Sequence, residues 1–175
     1  MKIEYFHASE YGNGARVAEE FRRLMETKGI SVSVHHVRDA KPKEIPQADL
    51  YLFSSPGRMG KPIGGMRHFL KKIELPPGSR YAILATELNP QPDKKTGRMP
   101  TEEELGRCQL VIPRMNEALQ AKGSQKVAEC KIFVTGFKGP LEEGWQAKVG
   151  EFVGTILKSF DTSALNPSRA LVRPE

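Results

Sequence analysis

The residues best suited to chemistry form a short polar loop, Ser9-Glu10-Tyr11-Gly12-Asn13-Gly14, between a strand-like segment and a helix-like segment. Glycine permits unusual backbone angles and lets the main chain come close to a ligand. The first amides of a following helix, together with the positive end of its dipole, favour an anion. Ser9, Tyr11 and Asn13 can add side-chain hydrogen bonds. The loop is therefore predicted to bind a phosphate group.

Two common phosphate-binding patterns fit this loop poorly. The P-loop of nucleotide triphosphate hydrolases ends in Gly-Lys-Ser/Thr, whereas this chain reads Gly14-Ala15-Arg16, so that pattern is disfavoured. The dinucleotide fingerprint needs a third Gly or Ala, and this chain has Val17 there. Asp39, which follows the second predicted strand, keeps the dinucleotide interpretation open as a candidate ribose contact.

A third pattern fits better. Ser9, Gly12 and Asn13 match the flavin mononucleotide (FMN) phosphate loop Ser-x-Thr-Gly-Asn-Thr, so the loop resembles that of the flavodoxin family. The pair Tyr11-Gly12 resembles the version found in NAD(P)H:quinone oxidoreductases of the tryptophan-repressor-binding-protein type. Residues 56–70, which read PGRMGKPIGGMRHFL, are similar to the Pro-x-Arg-Phe-Gly…Gly-x-Met-Arg-x-Phe-Leu segment of those proteins, with seven or eight agreeing positions. The closest resemblance, to these oxidoreductases, covers residues 1–75.

This resemblance implies an FMN-binding, flavodoxin-like redox protein. Its expected activity is that of an NAD(P)H-dependent oxidoreductase acting on a quinone or similar acceptor, with NADH or NADPH as electron donor. A one-electron carrier flavodoxin and a binding module of this fold without cofactor remain the alternatives. Expected partners are a redox partner or small-molecule acceptor and a second copy in a homo-oligomer. The predicted cofactor-binding residues are Ser9, Glu10, Tyr11, Gly12, Asn13, Gly14, Pro56, Gly57, Arg58, Met59, Gly60, Thr86, Glu87, Leu88 and Asn89.

The chain departs from the quinone oxidoreductases in two places. Met59 stands where they have a phenylalanine near the flavin, and residues 86–90, TELNP, lack their Thr-Gly-x-Gly-Gly pattern. Methionine can still pack on an aromatic ring through its polarizable sulfur. Arg58, Lys61 and Arg67 are expected to bring positive charge near the flavin. No catalytic side chain is predicted, because hydride transfer to a flavin needs no protein nucleophile.

The elements that position these loops follow from the hydrophobic pattern. Residues 50–53, Leu-Tyr-Leu-Phe, are apolar throughout, as in a strand covered on both faces, and residues 30–34 alternate, as in a strand with one covered face. Further strands are predicted at residues 3–8, 81–85 and 132–134. Strands alternating with helices predict a flavodoxin-like α/β/α sandwich around a five-stranded parallel sheet of order 2-1-3-4-5. In that order, ligands bind beyond the carboxyl ends of the first and third strands.

Helical periodicity predicts a first helix at residues 15–28 and a core-facing last helix at 145–160. The long polar segment 86–100 is predicted to be a loop, and loops of this length are usually functional or disordered. One domain, residues 1–160, is expected to be followed by a tail at 161–175.

A further helix is predicted after the polar segment 86–100, because Thr101 and Glu104 have the spacing of a capping box. Pro113 is expected to kink or divide this helix, because proline lacks an amide hydrogen and clashes with the preceding turn.

Composition excludes several other classes. The net charge is +6, but the lysines and arginines are scattered and accompany no nucleic-acid-binding motif, so nucleic acid is not expected as a partner. No apolar run approaches the roughly 18 residues that cross a bilayer, and a cytoplasmic protein without membrane insertion is expected. Cys108 and Cys130 are far apart, which favours two free structural thiols. His35 and His36 point to opposite faces of their strand, so no metal site is predicted.

Overall fold

The computed structural model describes residues 1–164, with side chains described up to residue 161. Its sheet contains the strands β1 (Lys2–His7), β2 (Ser31–His36), β3 (Leu50–Arg58), β4 (Lys61–Pro62), β5 (Arg80–Leu88) and β6 (Gln125–Val134). Five of them run parallel in the order β2-β1-β3-β5-β6, and β4 pairs antiparallel with β3. Numbered along the chain without β4, the parallel strands have the order 2-1-3-4-5. The predicted topology is therefore confirmed.

Helices cover both faces of this sheet and create two cores. The helices are α1 (Asn13–Glu26), α2 (Gly64–Lys72), α3 (Glu102–Cys108), α4 (Val111–Gln120) and α5 (Trp145–Ala164). Tyr5 and Leu52 pack in the core beneath α1 and α5, whereas their neighbours Phe6 and Phe53 pack in the core beneath α2 and α4. Successive strand residues point to opposite faces, so one apolar strand supplies both cores. The predicted three-layer sandwich is confirmed.

The strand predicted at residues 50–53 is longer in the structure. β3 continues to Arg58, and the chain reverses at Met59 and Gly60 before β4. Both turn residues have positive φ, 50° and 74°. A two-residue hairpin turn needs positive φ at both positions when its twist matches that of the strands. Glycine adopts this angle readily, and Met59 is the only non-glycine residue with positive φ among the described residues.

The region after β5 also differs in detail from the expectation. β5 extends to Leu88, so residues 86–88 belong to the strand, and only residues 89–100 form the polar loop. Thr101 and Glu104 form the predicted capping box at the start of α3. The helix predicted to begin at Thr101 is divided into α3 and α4, between Cys108 and Val111. Pro113 lies in the first turn of α4, where its missing amide hydrogen breaks no helical hydrogen bond.

The carboxyl-terminal part begins with β6, which is longer than predicted and is followed by α5. The apolar stripe of α5 is core, as predicted, with Val149, Phe152 and Ile156 buried. Both cysteines are free; Cys108 is exposed and Cys130 half-buried, and burial raises the pKa of Cys130 to about 11. The predicted tail, residues 161–175, overlaps the end of α5, and residues 165–175 lie outside the described part of the chain.

Candidate functional site

The segments at the carboxyl ends of β1, β3, β5 and β6 meet at one crevice. Its empty volume is about 620 Å³, part of it open to solvent. Parallel α/β sheets bind ligands at this edge. Ten of the predicted cofactor-binding residues line the crevice: Ser9, Glu10, Tyr11, Asn13, Gly14, Pro56, Gly57, Arg58, Thr86 and Leu88. Ile63, Val134 and Phe137 complete the lining.

The loop between β1 and α1 has the backbone geometry of an anion seat. Gly12 is the first residue flanking α1, with a φ of 86°, and no side chain caps the helix. The amide of Gly12 donates to Ser9 Oγ at 3.1 Å, which folds the loop back on itself. A Cβ on Gly14 would lie 3.3 Å from Ser9 Cβ, so the fold leaves little room for a side chain there. The first amides of α1 therefore have no intrahelical partner and can receive an anion.

Two histidines hold the strand end of this loop. Ser9 donates its amide hydrogen to His7 Nδ1 at 3.4 Å, and its carbonyl oxygen lies 3.0 Å from His36 Nε2. Because Arg38 donates its amide hydrogen to His36 Nδ1 at 3.1 Å, the neutral His36 ring carries its proton on Nε2 and donates it to Ser9. Burial, with the neighbouring His36, lowers the pKa of His7 to about 4. The His7 ring is therefore a neutral acceptor at its Nδ1 atom near neutral pH.

A loop that the sequence prediction missed closes the other side of the crevice. Asn13 donates from Nδ2 to the carbonyl oxygen of Lys138 at 3.1 Å, and the rings of Tyr11 and Phe137 lie 5.8 Å apart. A Cβ on Gly139 would lie only 2.8 Å from Asn13 Oδ1. The signal in the sequence was the turn-rich segment 136–140, GFKGP, directly after the last strand of a parallel sheet.

The charge at the crevice is less positive than expected. Arg58 lines the crevice, but its guanidinium lies 3.7 Å from the Glu10 carboxylate. Lys61 and Arg67 do not line it and instead face a groove between α2 and α4. Of the three cations expected near a flavin, the structure therefore brings only Arg58 to this site.

Five predicted residues do not line the crevice. Gly12 shapes the loop through its backbone, and Met59 is 95% exposed at the hairpin tip. Gly60 packs against α3, because a Cβ there would lie 1.8 Å from the carbonyl oxygen of Cys108. Glu87 is buried on the α4 side, where it accepts from the Val111 amide and pairs with Lys131 at 3.1 Å. Asn89 donates its amide hydrogen to Val134 at 2.9 Å.

The mouth of the crevice is apolar. Tyr11, Leu88 and Phe137 line it with 46%, 50% and 71% of their surfaces exposed. Such large apolar side chains are normally covered, and a cluster of them beside a polar loop is typical of a ligand-binding site. Asp39, the candidate ribose contact, does not line this crevice.

Other site types find no support among the described residues. No group of three or more histidine, cysteine or acidic side chains within residues 1–161 could hold a metal ion. None of the helices described, up to Ala164, has the length and apolar character needed to cross a bilayer.

Comparison with solved structures identifies the fold. Oxidised flavodoxin 1 from Bacillus cereus is similar at a TM-score of 0.67 and 17% identity, covering 90% of this chain and 98% of that one. Two-electron reduced Megasphaera elsdenii flavodoxin is similar at a TM-score of 0.64 and 12% identity, covering 89% of this chain and 98% of that one. FMN-bound Fusobacterium nucleatum flavodoxin is similar at a TM-score of 0.62 and 14% identity, covering 90% of this chain and 97% of that one. No protein-family model and no curated protein matches the sequence.

These comparisons show that the chain has a flavodoxin-like fold. Because the sequence identities are only 12–17%, the structural similarity establishes the fold alone. The narrower resemblance of residues 1–75 to quinone oxidoreductases gains no support from them.

Proposed function

We propose that the crevice binds FMN and that the protein is a flavodoxin-like redox protein. One observation carries the proposal: the uncapped start of α1 and the exposed apolar side chains Tyr11, Leu88 and Phe137 meet at the same crevice. FMN has the matching parts, a phosphate at one end and a flat aromatic ring at the other. The residues present therefore fit this cofactor.

The phosphate end fits a mononucleotide better than a dinucleotide. The amides at the start of α1 and the hydroxyl of Ser9 provide donors for one phosphate group. A pyrophosphate with its second ribose would need a further polar contact, and Asp39 is not at the crevice. The side chain of Asn13 is already used to hold the 136–140 loop through Lys138.

We further propose that the protein works as an NAD(P)H-dependent oxidoreductase on a quinone or similar acceptor. When bound, FMN supplies a ring that accepts a hydride or single electrons. The protein's part is to hold that ring, tune its surroundings and leave one side accessible. The wide exposure of Phe137 and Leu88 supports an open site that admits small aromatic molecules, and Arg58 provides positive charge beside it.

A one-electron carrier is the second candidate, supported by the flavodoxins among the structural neighbours. Oxidation of NADH or NADPH with a quinone acceptor by the FMN-loaded protein separates the two. The oxidoreductase predicts multiple turnovers, whereas a carrier gives none without a separate reductase. A module without cofactor predicts no FMN binding at all.

The phosphate seat is tested by a pair of variants at Asn13. Asn13→Asp places a negative charge at the start of α1, which favours the helix but repels a phosphate. Asn13→Ala removes the same hydrogen bond to Lys138 without adding charge. We expect Asn13→Asp to bind FMN at least about tenfold more weakly than Asn13→Ala in a calorimetric titration. Equal affinities would contradict a phosphate at this helix end.

A further inference from the structure

The helix α2 carries an unusual concentration of positive charge. No acidic residue occurs between Asp49 and Glu74, whereas this stretch contains five lysines and arginines. The surface positions of α2 include Arg67 and Lys71, one helical turn apart. Like charges at this spacing repel each other slightly, whereas Lys71 in the last turn also interacts favourably with the helix dipole.

On other helices, several basic residues pair with carboxylates. In α1, Arg22 and Arg23 pair with glutamates on the same helix, and in α3 Arg107 pairs with Glu103. Around α2 no such pairing occurs: within the described residues Lys61, Arg67 and Lys71 have no carboxylate partner. Glu74, just after α2, pairs with Lys43 at 3.9 Å, and of the cations that line the groove Arg114 pairs with Glu117 at 3.1 Å.

These cations border a groove between α2 and α4. Its apolar floor includes Leu70 and Ala118, and Ala121 lies at the carboxyl end of α4. Lys122 closes the far end, donating from Nζ to the carbonyl oxygen of Lys71 at 3.3 Å. The groove is therefore apolar at its base and cationic at its edges, and none of the described residues that line it is aromatic.

We propose that this groove, the α2–α4 groove, docks an acidic amphipathic segment of a partner protein. A helix with carboxylates on both sides of an apolar stripe matches cationic edges around an apolar floor. Nucleic acid fits less well, because single strands are bound by stacking on aromatic side chains, which the groove lacks. A charged phosphate backbone also makes no favourable contact with an apolar floor.

The location relates this surface to the crevice without depending on FMN. Lys61 lies in β4, directly opposite Arg58 of β3 in the hairpin register. Arg58 lines the crevice, whereas Lys61 lines the groove. A docked partner would thus contact the back of the hairpin that forms one side of the crevice. Docking can be measured whether or not the protein holds a flavin, so the two proposals fail separately.

The test uses a fluorescent synthetic helix of Glu and Leu, with leucines at three- and four-residue spacing, in anisotropy titrations at low salt. The double variant Arg67→Glu/Lys71→Glu reverses two edge charges. The matched control Lys94→Glu/Lys95→Glu makes the same change in net charge in the exposed 89–100 loop. We expect the groove variant to weaken binding at least about tenfold and the control less than about twofold. Circular dichroism confirms that each variant is folded.

A third variant separates groove docking from simple charge attraction. Ala118→Gln places a longer polar side chain on the half-buried apolar floor and leaves the net charge unchanged. Weaker peptide binding by this variant supports docking, and unchanged or stronger binding would contradict it. The proposal is also overturned if the wild-type protein does not bind the peptide, if both double variants weaken it equally, or if a single-stranded oligonucleotide binds more tightly.

Discussion

At the scale of single residues, the loop before α1 is held by hydrogen bonds to two histidines. Nδ1 of His7 and Nδ1 of His36 each accept an amide hydrogen, and His36 also donates to Ser9. A protonated ring would have no acceptor left at Nδ1. The position of the proposed phosphate site therefore depends on pH through His7.

His7 allows this dependence to be tested. Its pKa is lowered to about 4 in the folded protein from an ordinary 6.5, so the unfolded chain takes up the proton first as the pH falls. Stability from neutral His7 is thus fully present above pH 6.5 and is lost towards pH 4. His7→Asn keeps an acceptor near the position of Nδ1 but has no ring to protonate. Between pH 7.5 and 4 we expect this variant to lose up to about 3 kcal/mol less free energy of unfolding than the wild-type protein.

Urea unfolding at several pH values between 7.5 and 4 measures the effect. The matched variant is His68→Asn, at an exposed position on α2, which is expected to keep the wild-type pH dependence. If His7→Asn and the wild-type protein lose stability in parallel over this range, His7 is not buried as a neutral ring.

Some residues of the site could be predicted from sequence and others could not. The loop from Ser9 to Gly14 was recognisable, because glycines between a strand and a helix have a clear physical meaning. Phe137 was missed, since one exposed aromatic in a turn carries no periodic signal. Glu87 lies in a strand next to two lining residues, Thr86 and Leu88. Its own side chain faces the opposite side, an alternation that is visible only once the strand is known to reach Leu88.

At the scale of elements, the hairpin of β3 and β4 connects the crevice to the α3–α4 junction. Leu110 donates its amide hydrogen to the carbonyl oxygen of Gly60 at 2.6 Å. The turn fits only because Gly60 has no side chain to meet Cys108. The hydrophobic pattern predicts this strand only as far as Phe53, and Pro56 and Gly57 are residue types that strand interiors disfavour. Pairing with the short β4 keeps the backbone extended despite them.

Replacement of Gly60 tests this packing. Gly60 and Gly97 both have positive φ, 74° and 68°, but a Cβ at Gly97 would have no atom within 4 Å. Gly97→Ala is expected to lower the free energy of unfolding by about 1 kcal/mol, from backbone strain alone. Gly60→Ala adds a clash with main-chain atoms and is expected to lower it by about 2–4 kcal/mol. Equal losses in urea unfolding would show that the hairpin moves freely away from α3.

At the scale of the whole molecule, the sequence predicts the architecture better than the lengths of its parts. The buried run at 50–53 and the alternation of strands and helices were enough for the sheet order, because few topologies satisfy right-handed crossovers. Strand ends depend on pairing with neighbours, which a single sequence does not display. The polar ends of β5 and β6 are held by their mutual hydrogen bonds up to Leu88 and Val134.

The molecule also separates its charges by region. The crevice pairs its one arginine, Arg58, with Glu10, whereas in the α2–α4 groove Lys61, Arg67 and Lys71 have no carboxylate partner among the described residues. The proposed cofactor and the proposed partner would thus use different faces of one hairpin. This arrangement differs from a general basic surface, in which any polyanion would bind equally well.

The most direct test of the central claim compares FMN with riboflavin, which has the same ring and lacks the phosphate. Quenching of flavin fluorescence on titration with purified protein gives both dissociation constants. We expect FMN to bind at least about thirtyfold more tightly than riboflavin, because charge-assisted hydrogen bonds from the start of α1 reach only the phosphate. Equal affinities, or no binding of FMN at about 100 µM, far above typical cofactor constants, would contradict the account.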